Sequence, residues 1–227
     1  MRDVVTYDPA FYDAIRPGVQ RSAQAMWPDI VNTYRVIMDR SPRSALDVGC
    51  GEGWWALTGV EGGHVERATG IDGPWGGGAI DPELAHVDYM VMDISDIRET
   101  PSPVDPLGNR YDLAICLEVA EHVDRPDNLI AWLTTCADVV VFSGAIPGQP
   151  GNHHINCRWQ HEWAAMFEGV ENWMTADAIR PLVWCNQDIE WWYRQNVFVA
   201  YRSQPWHVGT QGREVLSCVH PDFWEVR

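Results

Sequence analysis

The sequence predicts an α/β fold, in which a mostly parallel sheet has helices on both faces, and three observations support this class. Four short apolar segments each end at or beside an acid, and these acids are Asp47, Asp72, Asp93 and Glu118. Three glycines follow the first segment at alternate positions. Helical patterns separate most of the segments. Because parallel strands end at the same edge of a sheet, we expect the acids and glycines to meet there around a ligand.

The glycine turn joins the first strand to the first crossover helix. Residues 44–48 are short and apolar, as in a buried parallel strand, and a helix is expected from Glu52 onward. Gly49, Gly51 and Gly53 let the backbone turn sharply and approach a ligand closely. Trp54 stands where the dinucleotide motif G-x-G-x-x-G would have its third glycine, so NAD is not the expected ligand.

The pattern Asp47-x-Gly49-x-Gly51-x-Gly53 resembles the first motif of the class I S-adenosylmethionine-dependent methyltransferases. Asp72 follows about 20 residues later, which is the spacing of a ribose-binding acid in a βαβ unit. The resemblance implies a Rossmann-like fold with a seven-stranded, mostly parallel sheet whose last strand is antiparallel. It also implies S-adenosylmethionine as the cofactor and S-adenosylhomocysteine as its product.

The same resemblance implies a cofactor site with three parts. The acid that closes the second strand takes both ribose hydroxyls, so Asp72 is the most specific assignment. An acid after the third strand binds the adenine amine, and the glycine turn with its preceding acid holds the methionine end. The implied cofactor residues are Asp47, Gly49, Gly51, Gly53, Asp72, Asp93, Ile94 and Glu118. Glu118 can instead orient a neighbouring group without touching the cofactor.

Composition limits the classes of partner. The 227 residues are 46% hydrophobic, which suits one α/β domain over residues 1–227. Lys+Arg 16 against Asp+Glu 32 gives a net charge of −16, and this field repels nucleic-acid backbones and anionic membrane surfaces. The sequence contains no lysine, which excludes P-loop nucleotide chemistry, Schiff-base chemistry and Tyr-x-x-x-Lys dehydrogenases.

The cysteines and apolar runs predict a cytoplasmic protein. The six cysteines are widely spaced, without a C-x-x-C pair or a signal peptide ahead of them, so we expect reduced thiols. The longest apolar run is far shorter than a membrane span. No zinc motif is present in the sequence.

A helical leader, residues 1–42, precedes a core over residues 43–202 and a tail over residues 203–227. In the leader, a short helix starts at Asp8-Pro9 and ends at Pro17-Gly18, and a second helix runs from Pro28 to Ser41-Pro42. The leader caps the sheet; alternatively, Tyr7, Tyr12 or Arg16 closes over the substrate. The tail docks on the core or forms a dimer contact, which leaves a homodimer open.

The core pattern predicts the remaining elements. Strands are expected at residues 68–72, 87–92, 111–116, 137–142, 172–175 and, as the reversed seventh strand, 191–201. Helices are expected at residues 124–136 and 159–167, and a short one near Asp81-Pro82. Trp75, in the loop before that helix, covers the adenosine or is simply anchored in the core.

Residues 117–123 resemble the segment after the fourth strand of small-molecule methyltransferases, where a histidine faces the donor methyl group. His122 is therefore a candidate general base, since its ordinary pKa lies near neutrality. The structural alternative is a histidine packed at the start of the next helix. An alcohol acceptor requires a base, whereas a neutral amine requires positioning alone.

The loop over residues 143–159 lies after the fifth strand, where such loops cover the active site. Its pattern Gly-Gln-x-Gly-x-x-His-x-Asn, followed by a tryptophan, resembles a bacterial and phage branch of the family, and the segment at residues 191–196 extends the resemblance. Cys157-Arg158 departs from the pattern. His154 is assigned to catalysis, and His153, Asn156 and Trp159 to the acceptor; alternatively, His154 and Asn156 fix the loop backbone.

These features together predict an S-adenosylmethionine-dependent methyltransferase that acts on an oxygen of a small polar molecule, such as a sugar or secondary metabolite. N-methylation of a small amine, or a noncatalytic cofactor-binding subunit, are the alternatives. No metal is expected, because the histidines and Glu118 do not form a recognised ligand motif.

Overall fold

The computed structural model describes residues 9–73, 87–95, 97, 101–204 and 214–225, and its centre is a seven-stranded sheet. In chain order, the strands are β1 (Ser44–Val48), β2 (Arg67–Asp72), β3 (Val87–Val91), β4 (Tyr111–Leu117), β5 (Ala137–Ser143), β6 (Trp173–Ala176) and β7 (Phe198–Arg202). Their spatial order is β3-β2-β1-β4-β5-β7-β6. β7 is antiparallel to both neighbours, and the other adjacent pairs are parallel. The predicted fold class is confirmed.

Helices cover both faces of the sheet. They are α1 (Pro9–Met38), α2 (Trp54–Glu61), α3 (Pro126–Cys136), α4 (Gln160–Glu168), α5 (Arg180–Val183) and α6 (Trp191–Asn196). Because side chains alternate across a strand, β5 feeds two apolar layers. Val139 and Val141 pack in the layer of α1 and α2, whereas Val140 and Phe142 pack in the layer of α3 and α4.

The leader is one continuous helix, so the predicted break at Pro17-Gly18 is wrong. A proline inside a helix costs about 3 kcal/mol or more, and α1 contains Pro17 and Pro28. The buried stripe of α1 offsets this cost, since each large side chain contributes about 1.5–3 kcal/mol. That stripe includes Met26, Trp27, Ile30 and Tyr34. Gly18 is a place of close packing, because a Cβ there would lie 2.2 Å from Oε1 of Glu190.

The segment predicted as a long seventh strand is a helix followed by a short strand. Residues 191–197 are rich in aromatic side chains without a clear period, and such a run does not separate helix from strand. The N–H of Glu190 donates to Ser22 Oγ on α1 at 2.9 Å, and this contact fixes the start of α6.

The first crossover helix, α2, begins at Trp54 rather than at Glu52, since Gly53 is its N-cap with a φ of 82°. The other predicted strands agree with the observed bounds within one residue.

The described part of the tail docks on its own chain. Val215 and Phe223 are buried, and the N–H of His220 donates to Oε1 of Gln195 at 2.8 Å. The predictions at Tyr7, at Trp75 and near Asp81-Pro82 fall outside the described residues. Within the ranges that the structure describes, no helix has the length and apolar character to cross a membrane.

Candidate active site

A cavity of about 550 Å³ lies at the carboxyl ends of β1, β2 and β4, as expected for a sheet of this topology. Two groups of polar residues line it. The first group follows β1 and β2 and contains Asp47, Gly49, Gly51 and Asp72. The second group follows β4 and β5, on the other side of β1, and contains Glu118, His122, Gln149, His153 and His154. Aromatic residues of α1 and α6 complete the wall.

The glycine turn has a backbone conformation that other residues rarely adopt. Gly49 and Gly51 have φ angles of 72° and 54°. A Cβ at Gly49 would lie 2.4 Å from Cγ2 of Val119, and one at Gly51 would lie 3.0 Å from the ring of Tyr12. The backbone therefore forms the cavity wall here without side chains. Gly53 does not line the cavity, because it caps α2 behind the turn.

Asp72 is held by the backbone at the end of β2. Its Oδ2 accepts from the N–H of Gly51 at 2.6 Å, and its Oδ1 accepts from the N–H of Gly73 at 2.6 Å. Burial raises the pKa of Asp72, and these two hydrogen bonds oppose the rise. Each carboxylate oxygen has a further lone pair, which suits it to accept from ligand hydroxyls.

Asp47, at the end of β1, has a strongly perturbed carboxyl group. Burial raises its pKa to about 7, its hydrogen bond from the N–H of Ala56 opposes the rise, and the charge of Asp72 adds to it. A buried acid of this kind in a cavity wall is typical of a functional site.

The residues after β3 divide between the cavity and solvent. Ile94 and Ser95 line the cavity. Asp93 is exposed, and its Oδ1 accepts from the N–H and the hydroxyl of Ser95 at 2.9 and 2.6 Å. Asp93 therefore lies beside the cavity rather than in its lining.

Glu118 joins the loop after β5 to α6. Its Oε2 accepts from Nε2 of Gln149 at 2.7 Å, and its Oε1 accepts from Nδ2 of Asn196 at 3.0 Å. Burial raises its pKa, and these hydrogen bonds oppose the rise. Glu118 also has a φ of 56°, and such backbone strain concentrates at functional sites. These contacts describe a residue that orients its neighbours.

His122 and His154 form a pair of imidazoles in the cavity wall, with ring centroids 5.0 Å apart. Nδ1 of His122 lies 3.2 Å from the carbonyl oxygen of His153, and Nδ1 of His154 lies 3.1 Å from that of Gln149. Because a carbonyl oxygen only accepts, these contacts assign the proton to Nδ1 in both rings. Burial, with His154 adding to it, lowers the pKa of His122 to about 4, and burial also lowers the pKa of His154. Both rings are therefore neutral at neutral pH.

The other residues predicted for the acceptor are placed differently. Nδ2 of Asn156 donates to the carbonyl oxygen of Val123 at 2.5 Å, which fixes the loop. Trp159 is the N-cap of α4 and packs with Ile146 and Trp191. Neither Asn156 nor Trp159 lines the cavity, whereas the exposed His153 does.

Several residues that build this wall were not predicted from the sequence. Gln149 and Asn196 hold Glu118, and Gln195 donates to Oε1 of Gln149 at 3.3 Å. Gly151 lies directly against His154, because a Cβ there would be 2.1 Å from its Nε2. The sequence signal for these residues is their place in the two segments that carry the family resemblance. The loop motif after the fifth strand contains Gln149 and Gly151, and the segment at residues 191–196 contains Gln195 and Asn196.

The sheet order, the glycine turn and the acid at the end of β2 define the class I S-adenosylmethionine-dependent methyltransferase fold. A family described as "Methyltransferase domain" matches residues 19–187, and the chain belongs to this family. The protein is therefore an S-adenosylmethionine-dependent methyltransferase, which confirms the predicted cofactor and enzyme class.

Solved structures show the same fold at low identity. The sugar N-methyltransferase KedS8 from Streptoalloteichus sp ATCC 53650 is 14% identical, with 90% of this chain and 96% of that chain covered and a TM-score of 0.63. The plantazolicin methyltransferase BpumL, in complex with SAH, is 13% identical, with 87% and 92% covered and a TM-score of 0.61. Magnesium protoporphyrin IX methyltransferase (ChlM) from Synechocystis PCC 6803, with bound SAH, is 16% identical, with 88% and 90% covered and a TM-score of 0.57. No curated protein sequence matches the chain significantly.

Proposed function

We propose that the enzyme transfers a methyl group from S-adenosylmethionine to a hydroxyl oxygen of a small polar acceptor, such as a sugar or secondary metabolite. The observation that carries this proposal is the neutral imidazole pair in the wall of the cavity that also contains the glycine turn and Asp72. An alcohol needs a group that takes up its proton, and a neutral imidazole is such a group.

In this proposal the donor occupies the first polar group of the cavity. Asp72 accepts from the two ribose hydroxyls, and the backbone of Gly49 and Gly51 meets the methionine end together with Asp47. The glycine backbone fits this role because a Cβ at either position would need space that a neighbouring side chain fills. Ile94 packs beside the adenine, and the exposed Asp93 binds its amine at the edge of the cavity.

The acceptor meets the second polar group. A lone pair of the acceptor oxygen attacks the methyl carbon, the bond from carbon to sulfur breaks, and sulfur keeps the electron pair. S-adenosylhomocysteine and the methyl ether form, and the hydroxyl proton passes to the imidazole of His122 or His154. A positioned base of this kind contributes about 10²–10⁴-fold to the rate.

The cavity and the charge of the protein favour a small acceptor. A volume of about 550 Å³ must hold the donor and the acceptor together, and ligand cavities typically measure about 300–1,000 Å³. Tyr12, Trp191 and Trp192 offer aromatic faces on which a sugar or aromatic ring can stack. A net charge of −16 disfavours nucleic acid as the acceptor.

N-methylation of a small amine is the second candidate, and the low pKa of His122 favours it. A base with a pKa of about 4 is weak, and a neutral amine attacks without losing a proton first. KedS8, which has this fold, is described as a sugar N-methyltransferase.

Incubation with labelled donor and paired hydroxyl and amine acceptors, with S-adenosylhomocysteine as readout, tests the proposal. His122→Ala and His154→Ala should lower kcat for the hydroxyl acceptor about a hundredfold. The donor's dissociation constant, measured by calorimetry, should move by less than about threefold. Product from amines alone, with both variants fully active, would establish the second candidate instead.

A matched pair of glycine variants separates a displaced imidazole from general destabilisation. Gly151→Ala should reproduce the loss of His154, because its Cβ occupies the place of that ring. Gly169→Ala is the control, since its Cβ would meet only ordinary contacts at the end of α4. Equal activity of the two variants would contradict the placement of His154.

A further inference from the structure

We infer that Glu121, His122 and His154 form a binding site for one divalent transition-metal ion in the wall of the active-site cavity. One ligand atom from each of the three side chains lies within 4.8 Å of the other two. Two imidazole nitrogens and one carboxylate oxygen are a donor set that suits Mn²⁺, Co²⁺ and Zn²⁺. This proposal departs from the expectation of no metal, which rested on the absence of a recognised ligand motif among the histidines and Glu118.

Both imidazoles are oriented as metal ligands usually are. A ligating histidine commonly donates its second ring N–H to a carbonyl or carboxylate, which fixes the tautomer and the ring orientation. His122 and His154 each make this contact through Nδ1, with the carbonyl oxygens of His153 and Gln149. In His154 the lone pair of the ring is therefore on Nε2, while His122 has a further backbone hydrogen bond with Asn152. Both residues line the cavity, so an ion held by them is accessible to a bound acceptor.

Glu121 is a buried carboxyl group with an unused oxygen. Its side chain is 0% exposed, its Oε1 accepts from the N–H of Ala145 at 3.1 Å, and its Oε2 has no hydrogen-bond partner. Its own backbone carbonyl accepts from the N–H groups of Ile155 and Asn156, which hold the loop against it. Burial, with the charge of Glu118 and a hydrogen bond to it adding to the effect, raises the pKa of Glu121 well above its ordinary value, so without an ion this carboxyl group retains a proton. A metal ion at Oε2 would displace that proton on binding.

Among the described residues, no basic side chain lies within ion-pair distance of Glu121. The neighbouring acid, Glu118, has its oxygens on the neutral amides of Gln149 and Asn196. No ion pair of the described chain involves Glu118 or Glu121. The charge of Glu118 acts unfavourably on an ionised Glu121, and a bound cation would relieve this repulsion.

The inference rests on the proposed transfer to a hydroxyl oxygen but replaces its base, since an imidazole nitrogen that binds the ion does not also take up the acceptor's proton. An acceptor hydroxyl bound to the ion loses its proton to water more readily, because the ion stabilises the oxyanion. The imidazoles then act as ligands, and methyl transfer follows with the same bonds formed and broken. The bound ion would thus activate the acceptor hydroxyl as a Lewis acid, in place of activation by a weak imidazole base.

Metal binding is measured on the full chain without donor or acceptor, so its outcome does not depend on finding the substrate. After treatment with chelator and dialysis, the protein is titrated with Co²⁺ followed by visible absorption and with Mn²⁺ followed by electron paramagnetic resonance. The wild type should bind one equivalent. Glu121→Gln, which keeps the side-chain shape, and His154→Ala should each weaken binding more than about tenfold. His161→Gln, at an exposed histidine hydrogen-bonded to Ser217, is the control and should bind as the wild type does.

Absence of stoichiometric binding by the wild type, or binding by a folded Glu121→Gln variant with unchanged affinity, would overturn the inference. Circular dichroism shows whether each variant folds, and His154→Ala decides the question if Glu121→Gln does not fold. The proposed function fails separately: in that case no hydroxyl acceptor is methylated, with or without added ion. If the protein binds no ion and methylation is unchanged in chelator, the imidazole base is supported and the metal site is contradicted.

Discussion

At the scale of single residues, Asp72 is the side chain that we propose for the ribose of the donor. Its carboxyl group is 8% exposed and is fixed by two backbone N–H groups, so its oxygens are preorganised at the end of β2. A preorganised carboxylate loses little entropy when ligand hydroxyls bind. Asp93, by contrast, is exposed and bonded to Ser95.

Asp72→Ala should weaken donor binding about ten- to a hundredfold, because hydrogen bonds to a charged group contribute roughly 1.5–3 kcal/mol. Asp93→Ala is the matched comparison and should cost less than about tenfold, since solvent competes for an exposed carboxylate. Isothermal calorimetry with donor and with S-adenosylhomocysteine measures both. If a folded Asp72→Ala variant keeps the wild-type affinity, the ribose assignment is wrong.

Asp47 makes the stability of the folded protein depend on pH. Burial raises its pKa to about 7, above the ordinary value near 3.8 that applies when the chain is unfolded. Between these values the folded state holds a proton that the unfolded chain has released, so the carboxyl group costs stability as pH rises from about 4 to about 7. The cost is complete above pH 7 and vanishes below pH 4.

Asp47→Asn should therefore gain stability relative to the donor-free wild type as pH rises, by an amount on the order of 1 kcal/mol per pH unit between pH 4 and pH 7. The amide oxygen can still accept from the N–H of Ala56, so that donor keeps its partner. Urea unfolding at several pH values measures the difference. A difference that is independent of pH would show that Asp47 is ionised in the folded protein.

At the scale of elements, α1 is joined to the glycine turn through Trp27. This side chain is fully buried, and its Nε1 donates to the carbonyl oxygen of Trp55 in the first turn of α2 at 2.9 Å. Gly59 makes room for it, because a Cβ there would lie 2.5 Å from the indole. Arg16 adds a paired contact to Glu52 beside the turn. The leader therefore supports the cavity wall rather than lying apart from it.

Trp27→Ala should reduce the free energy of unfolding by about 3–5 kcal/mol, because a large buried ring and a buried hydrogen bond are lost together. Val36→Ala, on the same helix at a side chain that is 86% exposed, is the control and should change stability by less than about 0.5 kcal/mol. Urea unfolding compares the two. A loss below about 1 kcal/mol for Trp27→Ala would mean that α1 contributes little to the core.

Two further elements meet in the polar network behind the acceptor side of the cavity. The loop after β5 supplies Gln149, and the end of α6 supplies Gln195 and Asn196. Their amides satisfy one another and Glu118, so the network has partners without any ion pair. Buried networks of this kind fix one arrangement of the elements that carry them.

At the scale of the whole molecule, the sheet order places the residues proposed for the donor and for the acceptor on either side of β1. β2 leads to the donor residues, whereas β4 and β5 lead to the imidazoles and Glu121. The reversal of strand order between β1 and β4 opens the space between these halves, as in other doubly wound sheets. The net charge of −16 surrounds this space with a field that favours neutral or cationic acceptors.

Six of the seven strands, their common edge and the residues proposed for the donor could be predicted from the sequence. These features depend on local chemistry: glycines at a turn, acids at strand ends and β-branched runs are visible in a few consecutive residues. Asp72 and the glycines 49 and 51 lie where that chemistry predicted, in the wall of one cavity. The family match then confirmed the class of enzyme and its cofactor.

The arrangement of α1, α6 and the residues proposed for the acceptor depends on contacts between distant segments. The prolines of α1 and the aromatic run of α6 have local preferences that packing against Trp55, Ser22 and the core overrides. Glu121 and His154 are far apart in sequence, and no local pattern reports that their side chains converge with His122. Contacts between distant segments depend on the whole fold, because the free energy of burial is shared among all the elements that enclose a residue.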